Sequence, residues 1–483
     1  MNTRRPVSER NHHAPSASPP PKAGPTPPPR ETGWLPDCVY TGERFEPGLA
    51  FFADDLGRIT RFSREPADLA GARRLTGQAA LPGLVNGHSR AWQRVLRGRA
   101  GPPGHPELDP APLAAGRLSD ADLYDAARMA FMEMLLSGIT CVGEFHTLHH
   151  QPDGAPWPEP NRLSHEILRA ARDTGIRLAL FRVAAARAGP GPRPDPGLAR
   201  SLTPTPDQFL REVDALREFV ARNHPGDDAW VGVAAHSLRA VPLDYLKAIA
   251  AYAHAQRLRL HIPVSRQPAD NEACAAEYGR TPVALLAEHG LLDKRFTAIH
   301  ALHLTDDDVR LLGTARATVC VCPVAAGGQS DAAASADRLL VAGATLALGT
   351  DSQLQINLLE DARLLERSLR AGRAPGAAGA GAAALLQAAT AAGARSLGAP
   401  SGALEVGRPA DFFTVNLYDP SIAGAEVDAL LGNVVFALER RAIREVWVGA
   451  RQCVTNGRHP VQGAIVSRFV ELQRRMWGAA GPA

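Results

Sequence analysis

Long apolar segments are missing from this chain of 483 residues. It contains no run of about 18 apolar residues, the length that a membrane-spanning helix needs. Residues 1–30 are polar and rich in proline, and they lack the apolar stretch that a signal peptide requires. These absences predict a cytoplasmic protein that has no membrane partner.

Cysteine is scarce, and neither sign of charge dominates. The six cysteines show no repeated Cys-x-x-Cys spacing, so we expect neither a disulfide framework nor a zinc ribbon. Cys320 and Cys322 alternate along an apolar run, which predicts buried thiols. The formal net charge is only +3, and the basic residues are interspersed with acidic ones, so no nucleic-acid partner is expected.

Changes of composition along the chain predict its domain organisation. Residues 1–33 are too polar to bury a core, which predicts a disordered Pro-rich tail. Residues 34–80 show the pattern of short β-strands without helices, and residues 401–475 return to short β runs with Asn-Gly and other turns. A short tail, 476–483, ends the chain. The two flanking β segments are predicted to close into one small β-sandwich.

Residues 81–400 alternate short apolar runs with longer amphipathic segments, as strands and helices around a parallel sheet do. Eight such runs can be counted: LPGLVNGHS, ITCVGEFH, RLALFRVAA, WVGVAAHS, LRLHIPVS, FTAIHALH, ATVCVCPV and TLALGTDS. They predict an α/β fold, a (β/α)8 barrel of the TIM type. A Rossmann sheet is the competing fold, but no Gly-rich turn follows the first run.

Polar side chains gather at the C-terminal ends of these runs, the rim where such barrels keep their chemistry. They are His88, His146, His236, Arg239, His300, His303 and Asp351. A single histidine at a strand end is more often structural than a ligand. Their coincidence on one rim predicts a functional site.

The ordered motifs PGLVNGHS, GEFHTLHH, VAAHSLRAV, AIHALH and LGTDS resemble the amidohydrolase superfamily, and within it the N-formimidoyl-L-glutamate deiminases of histidine degradation. The resemblance covers roughly residues 34–475. It implies a homodimer that adds water to the formimidoyl carbon and releases ammonia. One divalent ion, commonly zinc, activates the water in such enzymes, and a carboxylate moves the proton to the leaving nitrogen.

Several positions that hold the ion or the proton shuttle in this family carry other residues here. Of the first-strand His-x-His only His88 remains, because Arg90 stands at the second position. Pro263 stands at the fifth-strand histidine and Arg266 at the catalytic glutamate, while Asp351 keeps the eighth-strand ligand position. An arginine does not give up its proton to bind a metal. The resemblance therefore implies remnant metal ligands only, and no cofactor is expected unless these suffice for zinc or another divalent ion.

Few of the other histidines could take the place of the missing metal ligands. His300 keeps the position of the family's proton-handling histidine. His261 shares a strand face with Pro263 but lies about 6.5 Å further along it, too far for a zinc ligand. His303 or His146 would have to rotate inward to take part.

The family's substrate-binding positions are better retained in this chain than its metal-binding positions. Gln93, His236 and Arg239 match family positions that hold the glutamyl portion of the substrate, and Arg239 suits a carboxylate. Thr147 replaces a usual tyrosine, and the loop CPVAAGGQSDAAAS departs from the family's substrate loop. Plain structural roles also stay open: Gln93 could cap a helix, and Arg239 could pair with a neighbouring acid.

Three hypotheses follow. The first is a deiminase-like barrel that has lost zinc-dependent hydrolysis, that folds with Arg90 paired to Asp351, and that binds a small acidic ligand or a protein partner. The second is an enzyme of changed, metal-free chemistry that uses His300 and the two arginines. The third is an active C–N hydrolase or deiminase with unorthodox metal ligands.

Overall fold

The computed structural model describes Met1 and residues 31–99, 109–187, 196–326, 330–371 and 380–478. The predicted Pro-rich tail lies outside these ranges, except for Met1 and its last three residues. The first strand already begins at Thr32, inside the predicted tail, because Thr32 pairs with Ala53 in an antiparallel ladder.

The segment before the barrel is mostly β structure, as predicted. Its strands are β1 Thr32–Tyr40, β2 Phe45–Pro47, β3 Ala50–Ala53, β4 Ile59–Ser63 and β5 Arg73–Pro82. The expectation that it has no helix is wrong, because Pro66 opens a short helix, α1 (Pro66–Gly71), between the last two strands.

The eight predicted barrel strands are all present. They are β6 Leu84–Ser89, β7 Ile139–His146, β8 Arg177–Ala184, β9 Ala229–Ala235, β10 Leu260–Val264, β11 Phe296–His300, β12 Thr318–Val321 and β13 Thr345–Leu348. They pair in parallel and in chain order from β6 to β13. A parallel bridge between Ser89 and Asp351 joins the two ends of the sheet. The predicted TIM-type barrel is therefore confirmed.

Among the residues that the structure describes, one or two helices lie between each pair of consecutive barrel strands, and three more follow the last strand. They are α2 Ala111–Arg117, α3 Asp120–Leu136, α4 Arg162–Thr174, α5 Pro206–Asn223, α6 Leu243–Ala255, α7 Pro268–Tyr278, α8 Pro282–Glu288, α9 Asp306–Thr314, α10 Ser330–Val341, α11 Leu358–Ala371, α12 Gly381–Ala388 and α13 Ala391–Leu397. Short 3₁₀ turns span Ala91–Leu96, Pro196–Ser201 and Arg440–Ala442. Within the described ranges no helix is long and apolar enough to cross a membrane.

The segment after the barrel completes the second sheet. Its elements are β14 Phe412–Asn416, α14 Val427–Phe436, β15 Ile443–Val448, β16 Arg451–Val454 and α15 Gln462–Trp477. Hydrogen bonds join the strands of both flanking segments in the order β16-β15-β14-β5-β1-β3-β4, with β2 on β1. Both flanking segments therefore contribute to one structure, as predicted, but their strands form one continuous sheet where a small β-sandwich was expected. Two helices, α14 and α15, were not predicted from the β pattern.

An aromatic cluster forms the core of this second sheet. Trp34 lies with ring centroids 5.3 Å from Phe51, 5.3 Å from Phe412 and 5.2 Å from Trp447. These rings come from β1, β3, β14 and β15, so both flanking segments contribute to one core. Such aromatic contacts stabilise beyond the apolar area that they bury.

Helix α13 packs against the barrel interior, where it contacts side chains of β6, β7 and β8. Leu397 packs with Val85, Phe145 and Phe181 in one buried cluster. Gly393 permits this approach, because a Cβ there would lie 2.5 Å from the Val85 carbonyl oxygen. The predicted buried thiols are also confirmed, since all six cysteines are free and buried.

Candidate functional site

The ends of four barrel strands bring polar side chains together. His88 lies near the end of β6, His300 ends β11, and Asp351 follows β13. Arg90 comes directly after β6, and Arg266 comes two residues after β10. Of the rim residues predicted from the sequence, His88, His300 and Asp351 lie together here, and the cluster gathers residues from the first, fifth, sixth and eighth barrel strands.

The backbone at this rim adopts conformations that side chains usually avoid. The φ angles are 48° at Ser265, 68° at His300 and 44° at Asp351. Few residues other than glycine take positive φ. Each such residue costs of order 1–3 kcal/mol, and such residues cluster at functional sites. The barrel keeps this strained geometry at three of its strand ends.

The carboxylate of Asp351 is the centre of the cluster. His88 Nε2 lies 3.3 Å and Arg90 Nε 3.4 Å from Oδ1. Arg266 approaches Oδ2 to 3.5 Å, and His300 Nε2 lies 3.8 Å from the same oxygen. Asp351 is fully buried, yet neither oxygen has a hydrogen-bond partner within the described part of the chain. The two guanidinium groups and two imidazoles thus surround the carboxylate, but none of them forms a hydrogen bond with it.

Burial and charge set the ionisation of the cluster. Burial alone would raise the pKa of Asp351, but Arg90 and Arg266 hold it well below its usual range, so the carboxylate is ionised. Burial lowers the pKa of His88 and lowers that of His300 well below its usual value, so both rings are neutral near pH 7. Arginine keeps its proton in proteins. Two positive charges therefore face one negative charge.

A buried carboxyl beside the cluster does not change this balance. Ser89 Oγ donates to Glu144 Oε2 at 2.6 Å, and the Ala91 amide donates to Oε1 at 2.7 Å. Burial raises the pKa of Glu144 to about 8, so it is mostly protonated near neutrality. The Gln353 amide extends the network by donating to Ser89 Oγ at 2.9 Å. Glu144 was not predicted as a site residue, although a carboxylate inside an apolar strand run was the available signal.

His236 lies near the cluster, whereas Arg239 has another partner. The pKa of His236 is lowered to about 3, chiefly by burial and further by the charges of Arg90, Arg239 and Arg266. Its Nδ1 has no hydrogen-bond partner among the described residues. Arg239 is exposed, and its Nε lies 3.2 Å from Asp270. This is the plain structural role that the sequence left open for it. Gln93 is half-buried in the 3₁₀ turn after β6.

His261, His146 and His303 do not join the cluster. His261 Nε2 lies 3.0 Å from the Ser396 carbonyl oxygen of α13, and its ring stacks on Phe181 at 3.8 Å. His146 packs against His149, with ring centroids 5.4 Å apart. None of the three belongs to the group of potential metal ligands that the described residues form, which is His88, His300 and Asp351, with ligand atoms within 4.8 Å of one another.

The sequence profile of the amidohydrolase family matches residues 79–458, which include the whole barrel and its rim. The chain belongs to the amidohydrolase family. It is 34% identical over 434 residues to a formimidoylglutamate deiminase from Pseudomonas aeruginosa, covering 85% of this chain and 92% of that protein. The resemblance seen in the motifs is thus confirmed.

Two further relatives agree with this assignment. A 5-methylthioadenosine/S-adenosylhomocysteine deaminase from Desulforudis audaxviator is 28% identical over 409 residues, which are 80% of this chain and 83% of that protein. The crystal structure of an amidohydrolase from Brucella melitensis superposes with a TM-score of 0.81 at 27% identity, covering 92% of this chain and 99% of that one. The fold is therefore shared over nearly the whole length of both chains.

Proposed function

We propose that this amidohydrolase has lost zinc-dependent deiminase activity and binds a small acidic, glutamate-like ligand at the barrel rim. The observation that carries the proposal is the approach of Arg90 and Arg266 to opposite oxygens of Asp351, at 3.4 and 3.5 Å. In the family pattern Asp351 is a metal ligand. Here two guanidinium groups hold its carboxylate instead.

The residues present do not supply the four donors of the family's site for a dipositive ion. Zinc takes thiolate, neutral imidazole or carboxylate donors, and neither Arg90 nor Pro263 supplies one. An ion beside Asp351 would also meet two fixed cations. At about 4 Å and an effective dielectric of about 20, two unit charges of like sign repel by about 4 kcal/mol. A single carboxylate does not offset a dipositive ion and two arginines.

The proton shuttle is missing as well. Arg266 stands at the family's glutamate position, and no second ionised carboxylate contacts the described cluster. The carboxyl of Glu144 already accepts hydrogen bonds from Ser89 Oγ and the Ala91 amide. A positioned acid or base contributes about 10²–10⁴-fold to such reactions. Loss of ligands and loss of the shuttle together support the view that hydrolysis has been lost.

The surplus positive charge supports an acidic ligand. Two arginines against one aspartate leave the rim about one charge positive. His236 adds a nitrogen nearby that has no hydrogen-bond partner among the described residues, on a ring that its lowered pKa keeps neutral. Complementary charge of this kind favours anions and makes their binding sensitive to salt. The homodimer implied by the family resemblance stays a prediction, which the molar mass in solution would test.

Metal analysis of the purified full-length chain tests the proposal together with an ammonia-release assay on N-formimidoyl-L-glutamate. The Pseudomonas aeruginosa deiminase is the matched positive control in both measurements. We expect substoichiometric zinc and no ammonia above the uncatalysed rate. Stoichiometric, tightly held zinc together with ammonia release would refute the proposal.

A second candidate function is an active C–N hydrolase with unorthodox ligands. It is favoured by one observation, the convergence of potential ligand atoms of His88, His300 and Asp351 within 4.8 Å. On this candidate, the wild-type chain binds zinc and the His300→Ala variant does not. Ammonia release that persists in excess chelator would instead favour a third possibility, metal-free chemistry at the same residues.

A further inference from the structure

The cluster around Asp351 contains more hydrogen-bond donors than acceptors. Arg90 and Arg266 each carry a fork of N–H donors, and the only ionised acceptor that they share is the Asp351 carboxylate. The imidazoles of His88 and His300 can offer donors as well as acceptors. An occupant that satisfies the two guanidinium groups must supply acceptors.

Several polar atoms of the cluster are buried without a hydrogen-bond partner. Among the described residues these are both Asp351 oxygens, both His88 ring nitrogens, Arg90 Nε and His300 Nε2. Buried polar groups in native proteins are nearly always hydrogen-bonded, to protein, water or ligand. Their convergence from separate strands onto one point indicates a site that is completed by a bound molecule.

The net charge of the cluster selects the kind of molecule. Two guanidinium groups, which keep their charge in proteins, converge on one carboxyl group and leave at least about one positive charge, which a ligand carboxylate neutralises. Arginine forks bind carboxylates through paired, charge-assisted hydrogen bonds. Arg239, the anchor expected from the family resemblance, is already paired with Asp270 at 3.2 Å. The strongest free positive charge therefore lies at Arg90 and Arg266.

We infer that the ligand's carboxylate binds between Arg90 and Arg266, beside Asp351, where the family pattern places the metal ion. The inference rests on the proposed function and identifies the anchor of the acidic ligand as this arginine pair rather than Arg239. Arg90 is the more buried of the two, with 13% of its side chain exposed, whereas Arg266 is 39% exposed.

Calorimetric titration of the metal-free, full-length chain with glutarate tests the inference, with the uncharged analogue glutaramide as the control ligand. Arg266→Gln should weaken glutarate binding by about tenfold or more, equivalent to about 1.4 kcal/mol. The matched control is Arg239→Gln, which removes the same charge from an arginine that is already paired, and should change the affinity by less than about threefold. Arg266 is partly exposed, so its replacement should leave the fold intact.

A second variant tests the buried half of the pair. Arg90→Gln combined with Asp351→Asn removes both charges at once and leaves no unpaired buried ion, so we expect it to fold and to lose glutarate binding. Binding that Arg239→Gln abolishes and Arg266→Gln preserves would overturn the inference and leave the proposed function standing, because the ligand would still be acidic. No glutarate binding by the metal-free wild type would also overturn it. The proposed loss of hydrolysis is judged separately, by zinc content and ammonia release.

Discussion

Arg90 lies over the ring of Phe145, with its guanidinium carbon 5.2 Å from the ring centroid. The same guanidinium contacts the buried Asp351 carboxylate. An aromatic face and a carboxylate are the two surroundings that best accept a desolvated guanidinium. These contacts explain how the barrel keeps a cation in its interior at a position that holds a metal-binding histidine in the family pattern.

If the contact between Arg90 and Asp351 takes the place of ion coordination, as proposed, the chain should fold equally well without metal. The melting temperature, measured with and without excess chelator, should be unchanged. A ligand that binds the folded state at 100 times its Kd adds about 2.7 kcal/mol of stability. A fall of several degrees on chelation would therefore show that a structural ion is present.

Glu144→Gln should flatten the dependence of stability on pH. Burial raises the pKa of Glu144 in the folded chain to about 8 from the usual 4.5. The folded state therefore holds a proton that the unfolded chain releases, so this contribution is complete below about pH 4.5 and is lost as the pH rises toward about 8. The free energy of unfolding of the wild type should fall relative to the variant by about 1.4 kcal/mol per pH unit in this window. Urea titrations at several pH values measure both slopes, and parallel curves would contradict the prediction.

The barrel was predictable because its strands carry a strong signal. Parallel strands are covered on both faces, so they read as continuous apolar runs that end at turns. The run ITCVGEFH coincides with β7, and the other seven runs each contain most of a strand. The second sheet gave a weaker signal. The apolar segment Val427–Phe436 lies in the region 401–475 that was predicted to form short β runs, but it forms α14, since short apolar runs do not distinguish a helix from a strand.

The site was predictable only to the level of which residues share the rim. The motif resemblance located His88, Arg90, Arg266 and Asp351, and the structure brings these four together. Hydrogen-bond partners from distant parts of the chain could not be predicted. The pairing of Glu144 with Ser89 depends on the register between β6 and β7, which no local pattern encodes.

Asp411→Ala should destabilise the chain strongly. Arg177 Nε and a terminal nitrogen each lie 3.0 Å from an oxygen of Asp411, and both residues are buried. The pair joins the start of β8 to the residue before β14, and so joins the barrel to the second sheet. Breaking a buried ion pair on one side costs about 3–5 kcal/mol, because the other charge stays buried. Arg177 keeps a contact of 3.0 Å with the half-exposed Asp228, so we expect a loss toward the lower end of this range. Asp307→Ala, at an exposed pair with Arg310, is the control and should change the unfolding free energy by less than about 1 kcal/mol. Equal effects of the two variants in denaturant titrations would contradict the argument.

The last prediction is that three reversions rebuild a zinc site and some deiminase activity. Arg90→His and Pro263→His would restore four donors with His88 and Asp351, and Arg266→Glu would return the carboxylate that moves protons. No single reversion should suffice, because each leaves either a fixed cation at Asp351 or a missing donor. Removal of both arginines also removes the positive charges that oppose a dipositive ion.

The triple variant should therefore bind about one zinc per chain, the number that a single four-donor site holds, and release ammonia weakly from N-formimidoyl-L-glutamate. The double variant Arg90→His/Pro263→His should bind zinc less tightly, since Arg266 still lies 3.5 Å from Asp351, and should turn over at least about 10²-fold more slowly for want of the carboxylate. Thr147 and the altered loop after β12 are unchanged in both variants, so neither is expected to saturate with substrate. Metal analysis and ammonia release on folded protein measure the two effects separately. A folded triple variant that takes up no zinc would show that positions 90, 263 and 266 do not converge on the metal position of the family.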